Sequence, residues 1–135
     1  RAHRPAGLVA RQAALWEPPL KAVEAGHDLL FRRATGVQPV DQPAETLARV
    51  RQLLGSLPDA TLAALQPMVT ISGSVVLALA HHDGVLGWEA CFDAGMLDED
   101  WQAEQWGADA EAQAVRARRK AAFEAAARFL ALSRG

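Results

Sequence analysis

Apolar positions recur at helical spacing along most of the chain. Between Gly7 and Ala25, Leu8, Leu15, Trp16, Leu20 and Val23 fall on one face of a helix, and Pro18 and Pro19 predict a break or bend inside it. Two short helices or one bent helix both satisfy that pattern. Gly26 closes it. The stretch from Leu29 to Val40, with Phe31, Thr35, Val37 and Val40, is where extended structure is expected, at most one or two short strands near residues 28–40. Pro43 then suits a first helical position and Glu45 a first turn, and Leu47, Val50, Leu54 and Leu57 form the apolar stripe of a helix.

Pro58 and Asp59 start a short segment through Leu65, and Pro67 is expected to open an apolar run that ends near His81, His82 and Gly84. That run is predicted to be the central helix, buried on all sides. Its β-branched residues would also suit a strand, but its length, the proline start and the glycine end favour a helix. Gly87 to Ala94 predicts a short helix carrying Trp88 and Phe92, and Asp98 to Trp106 another, stopped at Gly107. The longest element is expected from Asp109 to Leu132, with Val115, Ala122, Ala126 and Phe129 along one stripe and Phe123 and Leu130 beside it. The fold class is therefore mainly α: a compact multi-helix domain with a long carboxyl-terminal helix.

Composition narrows the function classes. With 135 residues, half of them apolar, the chain can bury one core and is short for two, so residues 1–135 are read as a single domain. Fourteen Lys and Arg against sixteen Asp and Glu give a net charge of −2, and no strong field draws nucleic acid or anionic lipid. The single cysteine, Cys91, rules out an intramolecular disulfide and fits a reducing compartment. The longest apolar stretch, Pro67 to Ala80, is interrupted by Thr70, Ser72, Gly73 and Ser74 and is shorter than the roughly 20 residues of a membrane span, so no membrane insertion is expected. The chain opens with Arg1 rather than Met, which suggests a fragment or a processed form.

Few residues invite chemistry. His81, His82 and Asp83 could be read as metal ligands, but neighbours on a helix point about 100° apart, and groups at a helix carboxyl end also serve as caps. Cys91 has no adjacent base and no resolving partner, and reads as a small core residue. Gly55-Ser56 and Gly73-Ser74 lack the spacing and the lysine of a phosphate loop. Arg116, Arg118, Arg119 and Lys120 form a basic run without interleaved aromatics, a solvated helix face rather than a nucleic-acid surface. No catalytic residue, metal or cofactor is expected. The rival readings are a helical small-molecule or metal-binding enzyme using His81, His82 or the carboxylates, and a general protein-interaction module.

The most unusual segment is Leu97-Asp98-Glu99-Asp100-Trp101-Gln102-Ala103-Glu104-Gln105-Trp106-Gly107, with two Trp, two Gln and four carboxylates in eleven residues. On a helix Glu99, Gln102 and Trp106 share one face, Asp98, Trp101 and Gln105 a second, and Asp100 with Glu104 a third. The two indoles could be half-buried anchors satisfied by nearby amides and carboxylates. Alternatively one such face binds a partner, since Trp is enriched at binding hot spots.

This segment, followed by a helix ending Ala127-Arg128-Phe129-Leu130, resembles the assembly chaperones of the F-type ATP synthase that bind its alpha subunit, the ATP-twelve family. Supporting stretches are Leu8-Val9-Ala10-Arg11-Gln12 with Trp16-Glu17-Pro18, Gly36-Val37 with Pro39-Val40, and the apolar helix around Ser72-Gly73-Ser74. The resemblance implies a chaperone that holds the unassembled alpha subunit, shields the surface it later presents to the beta subunit, and has no ATPase activity. It also implies a two-domain protein whose β-rich amino-terminal domain is absent here, so that this chain is the helical carboxyl-terminal part. The Ala-rich last helix is similar to bacterial members, which implies a cytoplasmic protein, the mitochondrial matrix being the place of eukaryotic relatives. Carried over by motif, Asp98, Glu99, Asp100, Gln102, Glu104 and Trp106 are expected to contact the partner.

Overall fold

A computed structural model describes residues 6–32 and 42–134. Seven helices follow one another among the described residues: α1 (Ala6–His27), α2 (Ala44–Gly55), α3 (Asp59–Ser72), α4 (Val75–His82), α5 (Trp88–Gly95), α6 (Leu97–Trp106) and α7 (Ala110–Arg134).

Pro18 and Pro19 do not divide α1, which runs as one 22-residue helix. Each proline frees the carbonyl four residues earlier, and those carbonyls belong to Ala14 and Leu15, both exposed, where water can satisfy them. The core face of α1 is Leu8, Pro19 and Val23, whereas Leu15 stands at its edge, 38% exposed.

The expected central helix is placed differently. Pro67 lies inside α3, and the chain breaks at Gly73, whose φ of 73° is a left-handed conformation that suits glycine. Ser74 then caps α4 by accepting a hydrogen bond from the Leu77 amide at 3.1 Å. Leu77, Ala78, Leu79 and Ala80 are all buried because α4 is shared by two cores. Leu77 and Ala78 join Ala64, Leu65 and Met68 of α3, Cys91 and Phe92 of α5, and Phe123, Ala126 and Leu130 of α7. Leu79 and Ala80 join Val23, Leu29 and Phe31, with Val50, Leu53 and Leu54 of α2 packed against them. A helix that is apolar all round is the expected wall between two clusters.

Leu29 to Arg32 carry no regular secondary structure, although they alternate as a strand does: Leu29 and Phe31 are buried and Leu30 is 76% exposed. Side chains bond the backbone of this segment. Glu24 accepts from the Phe31 amide at 2.7 Å, Thr46 donates to the Leu30 carbonyl at 3.0 Å, and Gln42 bonds both the amide and the carbonyl of Arg32. The rest of the stretch expected to be extended, residues 33–40, lies outside the described residues. In α2 Thr46 is buried where it meets the Leu30 carbonyl, and Leu47, expected in the stripe, is 43% exposed.

Helix α7 packs along α3, its deepest side chains being Phe123, Ala126, Ala127 and Leu130, while Phe129 is 49% exposed instead of lying on the core stripe. Phe92 and Phe123 meet edge to face with ring centroids 5.6 Å apart. At the end of α5, Gly95 approaches α3 so closely that a β-carbon there would lie 2.7 Å from the Ser72 Cβ.

Candidate partner-binding surface

Helix α6 is held in place by charge more than by apolar burial. Leu97 is its one buried residue, and Asp98, Glu99 and Asp100 fill the first turn, where carboxylates meet the positive end of the helix dipole. Gly107, at φ 82°, ends it. On one side it meets α1. The Trp101 ring lies against Gly7, where a β-carbon would come within 2.8 Å of it, and the Arg11 guanidinium stacks 5.0 Å above its centroid. Arg11 Nη1 also donates to Glu104 Oε2 at 2.7 Å. That bond holds the Glu104 carboxyl below its ordinary value and raises the Arg11 guanidinium above its own.

On the other side α6 meets α7. Arg116 makes a two-pronged contact with Asp100, Nε to Oδ1 at 2.8 Å and Nη2 to Oδ2 at 2.9 Å, and lies 3.7 Å from Asp93 and 5.1 Å above the Phe92 ring. The Asp100 hydrogen bond raises the Arg116 guanidinium further above its ordinary value. One turn along α7, Arg119 binds both oxygens of Glu99 at 2.9 and 3.2 Å.

The six residues expected at the partner surface are therefore brought together on one short helix but in different states. Glu99, Asp100 and Glu104 are ion-paired within the chain. Asp98 and Gln102 are exposed, and Trp106 is 83% exposed, the most open of the large apolar side chains described. Glu99, Gln102 and Trp106, which share one face, are exposed, and Trp101, on the face of Asp98 and Gln105, is the inward indole that packs on α1. Sequence reasoning missed Arg11, Arg116 and Arg119 as the groups that fix α6. The last two belong to a basic run whose pattern predicts a solvated face, and nothing in local spacing links them to carboxylates 16 to 20 residues away.

This arrangement presents an indole and two amides, Gln102 and Gln105, on a helix three of whose acids are paired with arginines, and it can dock a protein. The other candidates have structural partners. His81 Nδ1 donates to the Leu86 carbonyl at 2.8 Å, and Asp83 sits between His27 Nε2 at 2.7 Å and His82 Nδ1 at 3.1 Å, joining the ends of α1 and α4. No group of three metal-binding side chains forms among the described residues. Cys91 is buried against the Leu77 carbonyl, and burial pushes its thiol up to about 12.

Solved structures resemble this chain closely. Atp12 from Paracoccus denitrificans is 36% identical, with a TM-score of 0.90 over 98% of this chain and 57% of its own. An aspartate-to-lysine variant of the same protein matches at the same identity and TM-score, with 56% of its chain covered. A candidate chaperone from Agrobacterium tumefaciens is 40% identical, with a TM-score of 0.84 over 96% of this chain and 49% of its own. The chain thus spans about half the length of these relatives. No protein-family model and no curated protein matches it.

Proposed function

This chain is Atp12-like in sequence and fold across 98% of its length, and from that premise we propose that it serves as an assembly chaperone for the catalytic sector of the proton-translocating ATP synthase. It binds the unassembled alpha subunit and prevents its aggregation until alpha pairs with beta. It performs no catalysis and works in a bacterial cytoplasm; no described helix is long and apolar enough to cross a membrane. Residues 1–135 act as one helical unit of such a chaperone, a unit that corresponds to 57% of the Paracoccus protein.

The observation that carries this reading is Trp106, 83% exposed at the end of a helix pinned to α1 and α7. A large indole left in water has no folding role that would keep it there, and aromatic anchors dominate protein-binding energies. Asp98, Gln102 and the outer edge of Glu99 surround it as a polar rim, while Asp100 and Glu104 act mainly through the arginines that orient the helix. A client anchored at few points can be released when beta offers a larger surface.

The test is co-expression of the chain with either the alpha or the beta subunit of ATP synthase, followed by measurement of soluble subunit and co-purification. Selective rescue of alpha is the expected result. Equal rescue of both subunits would replace this reading with a general interaction module, and rescue of neither would remove the client assignment.

A further inference from the structure

A second surface, distant from α6, has the chemistry of a peptide-binding groove. It lies between the turn joining α4 to α5 and the last turns of α7, with a volume of about 460 Å³. Arg116 and Arg119, which hold α6, belong to the first half of α7, whereas the groove uses residues from Ala127 to Arg134. Its apolar lining includes Leu86, the half-buried Trp88 ring and Ala131.

The fixed charges of the groove, Arg128 and Arg134, are both cationic. His81, Arg128 and Arg134 are its titratable residues, and no Asp or Glu lines it. Arg134 donates to the His82 carbonyl, a neutral acceptor, and no carboxylate pairs with its guanidinium among the described residues. Arg128 pairs with Glu124 one turn back on α7, but its side chain is 75% exposed, and exposed pairs of this kind exchange partners at little cost. The Trp88 indole N–H has no hydrogen-bond acceptor among the described residues. Two guanidiniums and an indole donor beside an apolar floor are complementary to a carboxylate next to a large apolar side chain.

We propose that this groove binds a segment of a partner protein in which acidic and large apolar residues adjoin, the apolar side chain resting on Leu86 and Trp88 and the carboxylate meeting Arg128 and Arg134. A space of this volume suits one or two side chains of an extended peptide. The proposal does not depend on the identity of the client bound at α6, and its failure would leave that assignment untouched.

A capped hexapeptide of alternating leucine and glutamate tests it, titrated into the isotopically labelled chain while the indole N–H resonance of Trp88 is followed by NMR, assigned through Trp88→Phe. A saturable shift is expected, weakened by about tenfold or more in the Arg128→Glu, Arg134→Glu double variant, whose fold is checked by its remaining amide spectrum. No shift, or an equal response to the leucine–lysine or serine–glutamate hexapeptide, would overturn the proposal. A response confined to phosphatidylglycerol vesicles would overturn it in favour of a lipid surface, and a shift with protein concentration alone in favour of a second copy of the chain.

Discussion

Truncating Trp106 to alanine should separate folding from client capture. At 83% exposure only about a sixth of the side chain is out of water. Of the roughly 250 Å² that a tryptophan can bury, about 40 Å² is then at stake, or about 1 kcal/mol at about 25 cal/mol per Å². Alanine returns up to about 0.5 kcal/mol through its better helix propensity. The net change in folding stability should therefore stay within about 1 kcal/mol. Trp101→Ala should cost about 2–3 kcal/mol, because that ring packs against Gly7 beneath Arg11. If Trp106 anchors the client, its loss should weaken alpha-subunit binding by about 2 kcal/mol, near 30-fold. Urea denaturation followed by circular dichroism reads the first quantity, and biolayer interferometry with freshly diluted alpha subunit reads the second. A folded Trp106→Ala chain with unchanged affinity would remove this indole from the site, and a stability loss above about 2 kcal/mol would refute its exposed placement.

Arg116→Ala should destabilise the chain by about 1–2 kcal/mol in urea, a range discounted for the 36% exposure of the side chain, because it unpairs Asp100 and uncovers Phe92. Glu104 has a carboxyl depressed by Arg11, so the tie between α1 and α6 contributes fully above the unfolded value near 4.5 and is lost as pH falls through the lower folded value. Tryptophan fluorescence should show that acid limb in the parent chain and not in Glu104→Gln; an identical limb in both would assign it elsewhere. Cys91, with its thiol pushed up to about 12, should resist a thiol reagent at about pH 8 until the chain unfolds, and rapid labelling of the native protein would contradict its burial. Gly95→Ala should destabilise by about 1–3 kcal/mol through contact with the Ser72 backbone, whereas Gly26→Ala, with open space around it, should stabilise slightly; thermal melts of the pair compare the two.

The helices whose ends the sequence revealed best are those with local stop signals and a strong period. Gly107 closes α6, and α5 and α7 carry aromatic and alanine patterns that only a helix aligns. The boundary between α3 and α4 was misplaced because proline is a strong start signal and Pro67 is tolerated within a helix, the true break resting on a left-handed glycine and a serine cap six to seven residues later. Leu15, Leu47 and Phe129 fit an apolar period yet are partly exposed, since period alone does not say which flank of a stripe the next element covers. Glu24, Gln42 and Thr46 bond the Phe31 amide, the Arg32 amide and the Leu30 carbonyl, a solution that depends on tertiary placement and leaves no mark in strand propensity.

The candidate site shows the same division between local and long-range information. An eleven-residue segment so rich in carboxylates, amides and indoles is poor core material, and α6 indeed buries only Leu97. A helix with so little apolar burial would fray unless something else held it. Arg11 arrives from 93 residues earlier in the chain, and Arg116 and Arg119 from the next helix, each taking one carboxylate. Because these contacts lie on the flanks that face α1 and α7, the outer face is left with Gln102 and Trp106 free of internal duty. Three of the acids that drew attention in the sequence, Glu99, Asp100 and Glu104, thus set the helix, and on the proposed reading the indole at its end is what they present. It follows that reversing the charge of Glu104 would act on a client through the set of α6, and that restoring the pair with Arg11→Glu in a Glu104→Lys chain should recover client binding if positioning is the role. A double variant that binds no better than Glu104→Lys would instead put the Glu104 carboxylate in direct contact with the client.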